Sequence, residues 1–128
     1  MPLAKRFYSE QQYRCRFDRN SQIYALYLKQ KMIACVQIDR EHNYYFLRAM
    51  VVAKNYRRQG LASQLLNAVA PYISTKDCWC LPFVHLVSLY QTAGFSEHDE
   101  TTIPPTISTR LQRYHAQGKL LVAMCKRA

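Results

Sequence analysis

The chain has 128 residues, 49% of them hydrophobic, and carries a formal net charge of +10. That composition excludes a disordered polar chain, and no apolar run approaches the length of a membrane span. The length suits one core rather than two, so residues 1–128 are read as a single domain.

The first segment, Met1 to Arg6, is basic, but Tyr8, Ser9, Glu10 and Gln11 follow where a signal peptide needs a continuous apolar stretch. A cytoplasmic location is the expectation. Residues 7–14 have the composition of a short helix, and Asp18-Arg19-Asn20-Ser21 is turn chemistry. Ile23–Leu28 and Met32–Ile38 read as the two strands of a hairpin, reversed at Lys29-Gln30-Lys31. After a loop over Asp39–Asn43, Tyr44–Val52 completes an antiparallel meander. Leu61, Leu65, Leu66 and Val69 then recur at helical spacing, in a helix that ends or kinks near Pro71. Asp77–Leu81 reads as a short buried strand stopped by Pro82, and Phe83–Ala93 as a helix closed by Gly94. Phe95 returns the chain to the core ahead of an acidic patch, Glu97-His98-Asp99-Glu100. Pro104 and Pro105 lead into an extra helix over Thr106–Gln117, closed by Gly118, and Lys119–Cys125 is the final strand. This order predicts an α/β fold of three layers around a mixed central sheet.

The five cysteines, Cys15, Cys35, Cys78, Cys80 and Cys125, are scattered and mostly embedded in apolar runs, which fits reduced thiols rather than a disulfide framework. Cys78 and Cys80 point to one side of a strand and His85 is near, but no fourth ligand lies at a familiar spacing, so no metal is expected. The positive charge suits an acidic substrate, RNA or an acidic partner. The basic residues are dispersed, however, from Lys5, Arg6, Arg14, Arg16 and Arg19 to Arg110, Arg113, Lys119, Lys126 and Arg127. Dispersion favours a solvated surface and weighs against nucleic acid.

One junction stands apart. Met50, Val51 and Val52 close an apolar strand, Arg57-Arg58-Gln59-Gly60 makes a tight basic turn, and Leu61, Ala62 and Ser63 open a helix. The first N–H groups of a helix lack intrahelical acceptors and lie at the positive end of its dipole, which suits a phosphate. Gly60 lets the backbone come close to a ligand, and the two arginines add charge a pyrophosphate can use.

The pattern Val52-x-x-x-Tyr56-Arg57-x-x-Gly60-x-Ala62 resembles the coenzyme A motif of the GNAT superfamily of N-acetyltransferases, with Lys54 where the family usually has proline. Leu89-Tyr90-x-x-x-Gly94-Phe95 resembles the family's second motif, in the right order and at the right distance. The resemblance implies the GNAT-like fold, acetyl-CoA as cosubstrate and an acetyl transfer to the amine of a small molecule or a protein. It places the Tyr90 hydroxyl as proton donor to the leaving thiolate, and a backbone N–H of the Met50–Val52 region as donor to the thioester oxygen. The family's glutamate has no counterpart on the strand over 44–52; Glu41 and His42 before it, and His85, are the candidates for the base. Phe83 and Leu86 replace the usual asparagine and alanine of the second motif. The N-terminal region is shorter than the family's, which suggests an open acceptor site or one completed in a homodimer. These departures leave a non-catalytic module that binds acetyl-CoA, RNA or protein as the alternative.

Overall fold

The computed structural model describes residues 2–99 and 101–128, so Glu100 of the acidic patch lies outside the described residues. Strands β1 (Ser21–Leu28), β2 (Lys31–Arg40) and β3 (Tyr45–Val52) form the expected meander. Lys29 and Gln30 both take positive φ, 49° and 69°, the backbone twist that suits a two-residue hairpin. Strand β2 extends past its apolar run because Asp39, expected in a loop, pairs with Ser21 on one side and Phe46 on the other. Its side chain is buried beneath Arg48.

Strand β4 (Cys78–Cys80) lies parallel to β3, and a parallel neighbour requires a crossover. Helix α2 (Leu61–Val69) supplies it. Helix α3 (Val87–Thr92), the edge strand β5 (Ser96–Glu97), helix α4 (Pro105–Ala116) and strand β6 (Met124–Lys126) follow, giving a six-stranded mixed sheet in the order β1-β2-β3-β4-β6-β5. The alternation of β2 divides the core. Ala34, Val36 and Ile38 pack with Leu65, Leu66 and Val69 of α2, and Tyr90 of α3 joins the same cluster. Cys35 faces the other way, onto Ala4, Phe7 and Tyr8 of α1 (Pro2–Glu10). On that second face Phe46 and Trp79 meet Ile107 and Leu111 of α4. Helices therefore cover both faces, and the extra helix expected near the C-terminus shares a layer with α1.

Three expected boundaries change. Helix α1 spans 2–10 rather than 7–14, because its buried stripe is Ala4, Phe7 and Tyr8 and Pro2 fits its first turn. Gln12, at φ 57°, lies just beyond it. Pro82 has no N–H to continue a ladder, so β4 stops at Cys80. Phe83 is extended and bridges Leu121, and a 3-10 turn over Val84–Leu86 precedes α3. The final strand is confined to 124–126, since Leu120 and Val122 bond to Val84 and Pro82 instead. No helix among the described residues is long and apolar enough to cross a membrane.

Candidate active site

Strands β3 and β4 run together only through Tyr45, Phe46 and Leu47, which face Cys78, Trp79 and Cys80. Beyond them β4 has ended and β3 continues to Val52, so the sheet opens as a wedge. At the mouth β3 bulges. Gln37 pairs with Arg48 and Cys35 with Val51, so Ala49 and Met50 drop out of the ladder opposite a single residue, Val36. Ala49 takes φ 56°, unusual for a residue with a Cβ. The Tyr8 hydroxyl donates to the Ala49 carbonyl at 2.7 Å and holds the bulge from α1. The bulge turns Ala49 and Val51 into the α1 layer, leaving Met50 at the wedge.

The basic turn lies at the far end of β3. A 3-10 turn over Lys54–Tyr56 occupies the position of the absent proline, and Arg57 Nε donates to the Val52 carbonyl at 3.0 Å. Gly60, at φ 76°, is the residue before α2, and the first intrahelical bond runs from Gln64 N to Gly60 O at 3.0 Å. The N–H groups of Leu61, Ala62 and Ser63 therefore have no intrahelical acceptor, and no side chain caps the helix. A Cβ on Gly60 would meet nothing within 4 Å, so the glycine answers to its backbone angle and the space beside it is open. With Arg57 and Arg58 exposed alongside, this donor set fits a pyrophosphate.

Tyr90 reaches the wedge from α3. Its ring is buried, stands edge-on to Phe95 at 5.7 Å, and lines a cavity of about 580 Å³ that continues from the wedge into the layer between α1 and α4. Burial raises its phenol well above the ordinary range, which keeps it protonated. The cavity also reaches Tyr13 and Cys15 in the segment after α1, and Tyr114 of α4.

Met50 and Tyr90 are thus brought together, while Val51 is packed in the core. Glu41 and His85 do not line the cavity. Glu41 sits at the β2–β3 turn, where its Oε1 accepts from Asn20 Nδ2 at 3.2 Å. At about 3.3 Å per residue, the five residues from Tyr45 to Met50 separate that turn from the bulge by roughly 17 Å. His85 is exposed in the 3-10 turn and stacks on Phe83 at 5.9 Å. Sequence reasoning missed the cationic lining: Arg14, Arg16, Arg48, Arg110, Arg113 and Lys119. The helical spacing of Arg110, Arg113 and Tyr114 was the one legible sign that these three share a face.

Known proteins agree with this architecture. The family model for the acetyltransferase (GNAT) domain matches residues 19–97. ElaA of Escherichia coli superimposes with a TM-score of 0.66 at 15% identity, over 98% of this chain and 85% of that one. The ribosomal-protein-S18-alanine N-acetyltransferase of Escherichia coli gives 0.63 at 20% identity, over 96% and 75%. N-acetylglutamate synthase from Neisseria gonorrhoeae, complexed with coenzyme A and N-acetyl-glutamate, gives 0.67 at 17% identity, over 98% of this chain but 32% of that longer one. No curated protein is a significant match by sequence. With more than half its length matched by the family model and its whole fold shared with such structures, the chain belongs to the GNAT acetyltransferase family.

Proposed function

We propose that the chain transfers an acetyl group from acetyl-CoA to an amine. The observation that carries this reading is the wedge between β3 and β4, with Tyr90 inside it and an uncapped helix N-terminus with two arginines at the far end of β3. The names of two fold neighbours, an alanine N-acetyltransferase and an N-acetylglutamate synthase, point to amine acceptors as well. The unpaired thiols of all five cysteines fit a cytoplasmic location.

In this reading the N–H groups of residues 61–63, with Arg57 and Arg58, hold the pyrophosphate, and the pantetheine arm runs along β3 into the wedge. The bound cosubstrate supplies an activated acetyl carbonyl. The backbone of the bulge, at Met50, donates to the oxygen of that carbonyl as charge develops there. Tyr90 donates its proton to sulfur as the C–S bond breaks. The acceptor nitrogen, which carries an extra proton once its lone pair has formed the C–N bond, returns one to Tyr90. This circuit ends with a neutral phenol, the form that burial favours.

Calorimetric titration with acetyl-CoA, followed by a CoA-release assay over polyamines, aminoglycosides, amino acids and basic peptides, tests the proposal. Saturable binding with release on at least one amine supports it. Binding with no release on any amine favours the non-catalytic module, and no binding ends the acetyltransferase reading and leaves only a module for RNA or protein.

A further inference from the structure

The cavity gathers six cationic side chains and, among its lining residues, no aspartate, glutamate or histidine. Two of the cations are already neutralised. Arg48 is held by Asp39 at 2.7 Å, with Asp18 at 3.7 Å, and Arg16 pairs with Asp18 at 3.4 Å. Arg14, Arg110, Arg113 and Lys119 have no carboxylate within 4.0 Å among the described residues. Two of these four are ordered by aromatic rings: the Arg110 guanidinium lies 4.5 Å over Phe46 and the Lys119 ammonium 5.1 Å over Tyr114. A guanidinium stacked by its face keeps its N–H groups free in plane, ready to fork an oxyanion.

These charges are not placed for the phosphates of acetyl-CoA. They rise from the segment after α1, from α4 and from the loop before β6, whereas the phosphate-fitting turn opens α2, which packs on the opposite face of the sheet. Arg14, Arg113 and Lys119 are exposed and Arg110 is half-buried, but their convergence on one cavity that also holds Tyr90 sets them apart from a merely solvated basic surface.

We propose that the acceptor is an amine that carries an anionic group, a carboxylate or a phosphate, and that Arg110, Arg113, Lys119 and Arg14 hold that group while the amine points to the wedge. This rests on the acetyltransferase reading above. The same charges settle how the amine is activated. The four cations outnumber the charge of one carboxylate or phosphate, so the site stays net positive and disfavours the ammonium form; the acceptor loses its proton to water on entering, and no side-chain base is required. The sum is an ammonium and the thioester giving amide, free thiol and one released proton. Besides the cations, the ionisable groups facing the chamber are the phenols of Tyr13, Tyr90 and Tyr114 and the thiols of Cys15 and Cys80. Burial raises Tyr13, Tyr90 and both thiols, which keeps them neutral and the field positive.

Matched acceptors test the idea: glutamate against glutamine, O-phosphoethanolamine against ethanolamine, with spermidine as the cationic control. The anionic member of at least one pair should show kcat/KM at least tenfold above its neutral partner at low salt, and the advantage should shrink as salt rises. In the Arg110→Ala, Arg113→Ala double variant that advantage should fall about tenfold or more, with acetyl-CoA affinity by calorimetry unchanged. Equal rates within both pairs, or a preference for spermidine, overturn the inference while leaving the acetyltransferase reading intact. A second measurement needs no turnover. O-phosphoethanolamine and glutamate, titrated into the labelled protein, should give saturable NMR shifts at the backbone amides of residues 13–16 and 110–114. Absence of those shifts for both probes overturns the inference whatever the enzyme does.

Discussion

The two positively charged regions of this molecule are built in opposite ways. The turn over 57–60 takes its charge and its backbone donors from contiguous residues, so a local backbone geometry makes the site. The chamber draws its cations from residues 14–16, 48, 110–113 and 119, and only the packing of α1 and α4 over the second face of the sheet assembles them. The contrast teaches that charge dispersed along a sequence says little about charge in space. A site defined by a turn should answer to changes in backbone freedom, and one defined by convergence should answer to changes in charge.

Tyr90 lines the cavity and packs in the cluster that holds α2, so it gives the largest expected effect. Tyr90→Phe removes only an oxygen, and turnover should fall about a hundredfold to ten-thousandfold, the usual range for general acid catalysis. Acetyl-CoA affinity by calorimetry should hardly change. Lost affinity with turnover retained at saturation would make Tyr90 part of the turn's binding site instead. Gly60→Val comes next. A β-branched residue held at φ 76° costs about 1–3 kcal/mol, so the turn should distort and acetyl-CoA binding should weaken about tenfold to a hundredfold. Circular dichroism should show the fold retained. Unchanged affinity would mean that the turn is not the phosphate site.

A smaller effect sharpens the comparison most. Arg57→Ala should raise the dissociation constant of acetyl-CoA with little change in acceptor KM, while Arg113→Ala should do the reverse. Each is expected to act about tenfold, as one charge-assisted hydrogen bond contributes about 1.5–3 kcal/mol and exposure lowers that share. If both variants change the same constant, the two regions are one site. The smallest effect falls on stability. Tyr8→Phe leaves the Ala49 carbonyl without its donor in a buried setting, at a cost of about 1–2 kcal/mol. Thermal unfolding should begin several degrees lower, and a midpoint equal to the parent's would show that the bulge holds itself.

The same contrast governs what could be read from the sequence. The meander was legible because strands β1, β2 and β3 carry apolar runs bounded by polar turns, and α2 because its leucines keep helical spacing. Gly94 and Phe95 marked the end of α3 since a left-handed cap has few substitutes; its φ is 95°. The bulge was not legible, since Ala49 carries no hint that it must take a positive φ, and its cause, Tyr8, lies 41 residues away. Helix α1 starts at Pro2 and not at Phe7 because Ala4, Phe7 and Tyr8 form its buried stripe, a spacing that the polar residues between them obscure. Asp39 has the composition of a loop residue, and only its partner Arg48, nine residues on and across the strand pair, makes it a buried strand residue. Glu41 and His85 carry the chemistry of a base, but no local pattern tells how far the β2–β3 turn and the 3-10 turn before α3 lie from the cavity.

Cys15 gives the chamber a chemical handle. Its sulfur lies half-exposed in the cavity wall, 3.1 Å from Gln37 Nε2, whereas Cys35, Cys78, Cys80 and Cys125 are buried. Burial pushes Cys78 up to about 12 and Cys125 up to about 11, so under mildly alkaline alkylation those thiols stay unreactive. Cys15 is raised less severely and is accessible, so it should be modified first. Two reagents of similar size, the anionic iodoacetate and the neutral iodoacetamide, then turn this thiol into a gauge of local potential. Relative to a free cysteine, the negatively charged reagent should gain rate at Cys15, and the gain should fade with added salt. A peptide-mapping experiment would thereby read the field inside the cavity before any acceptor has been identified.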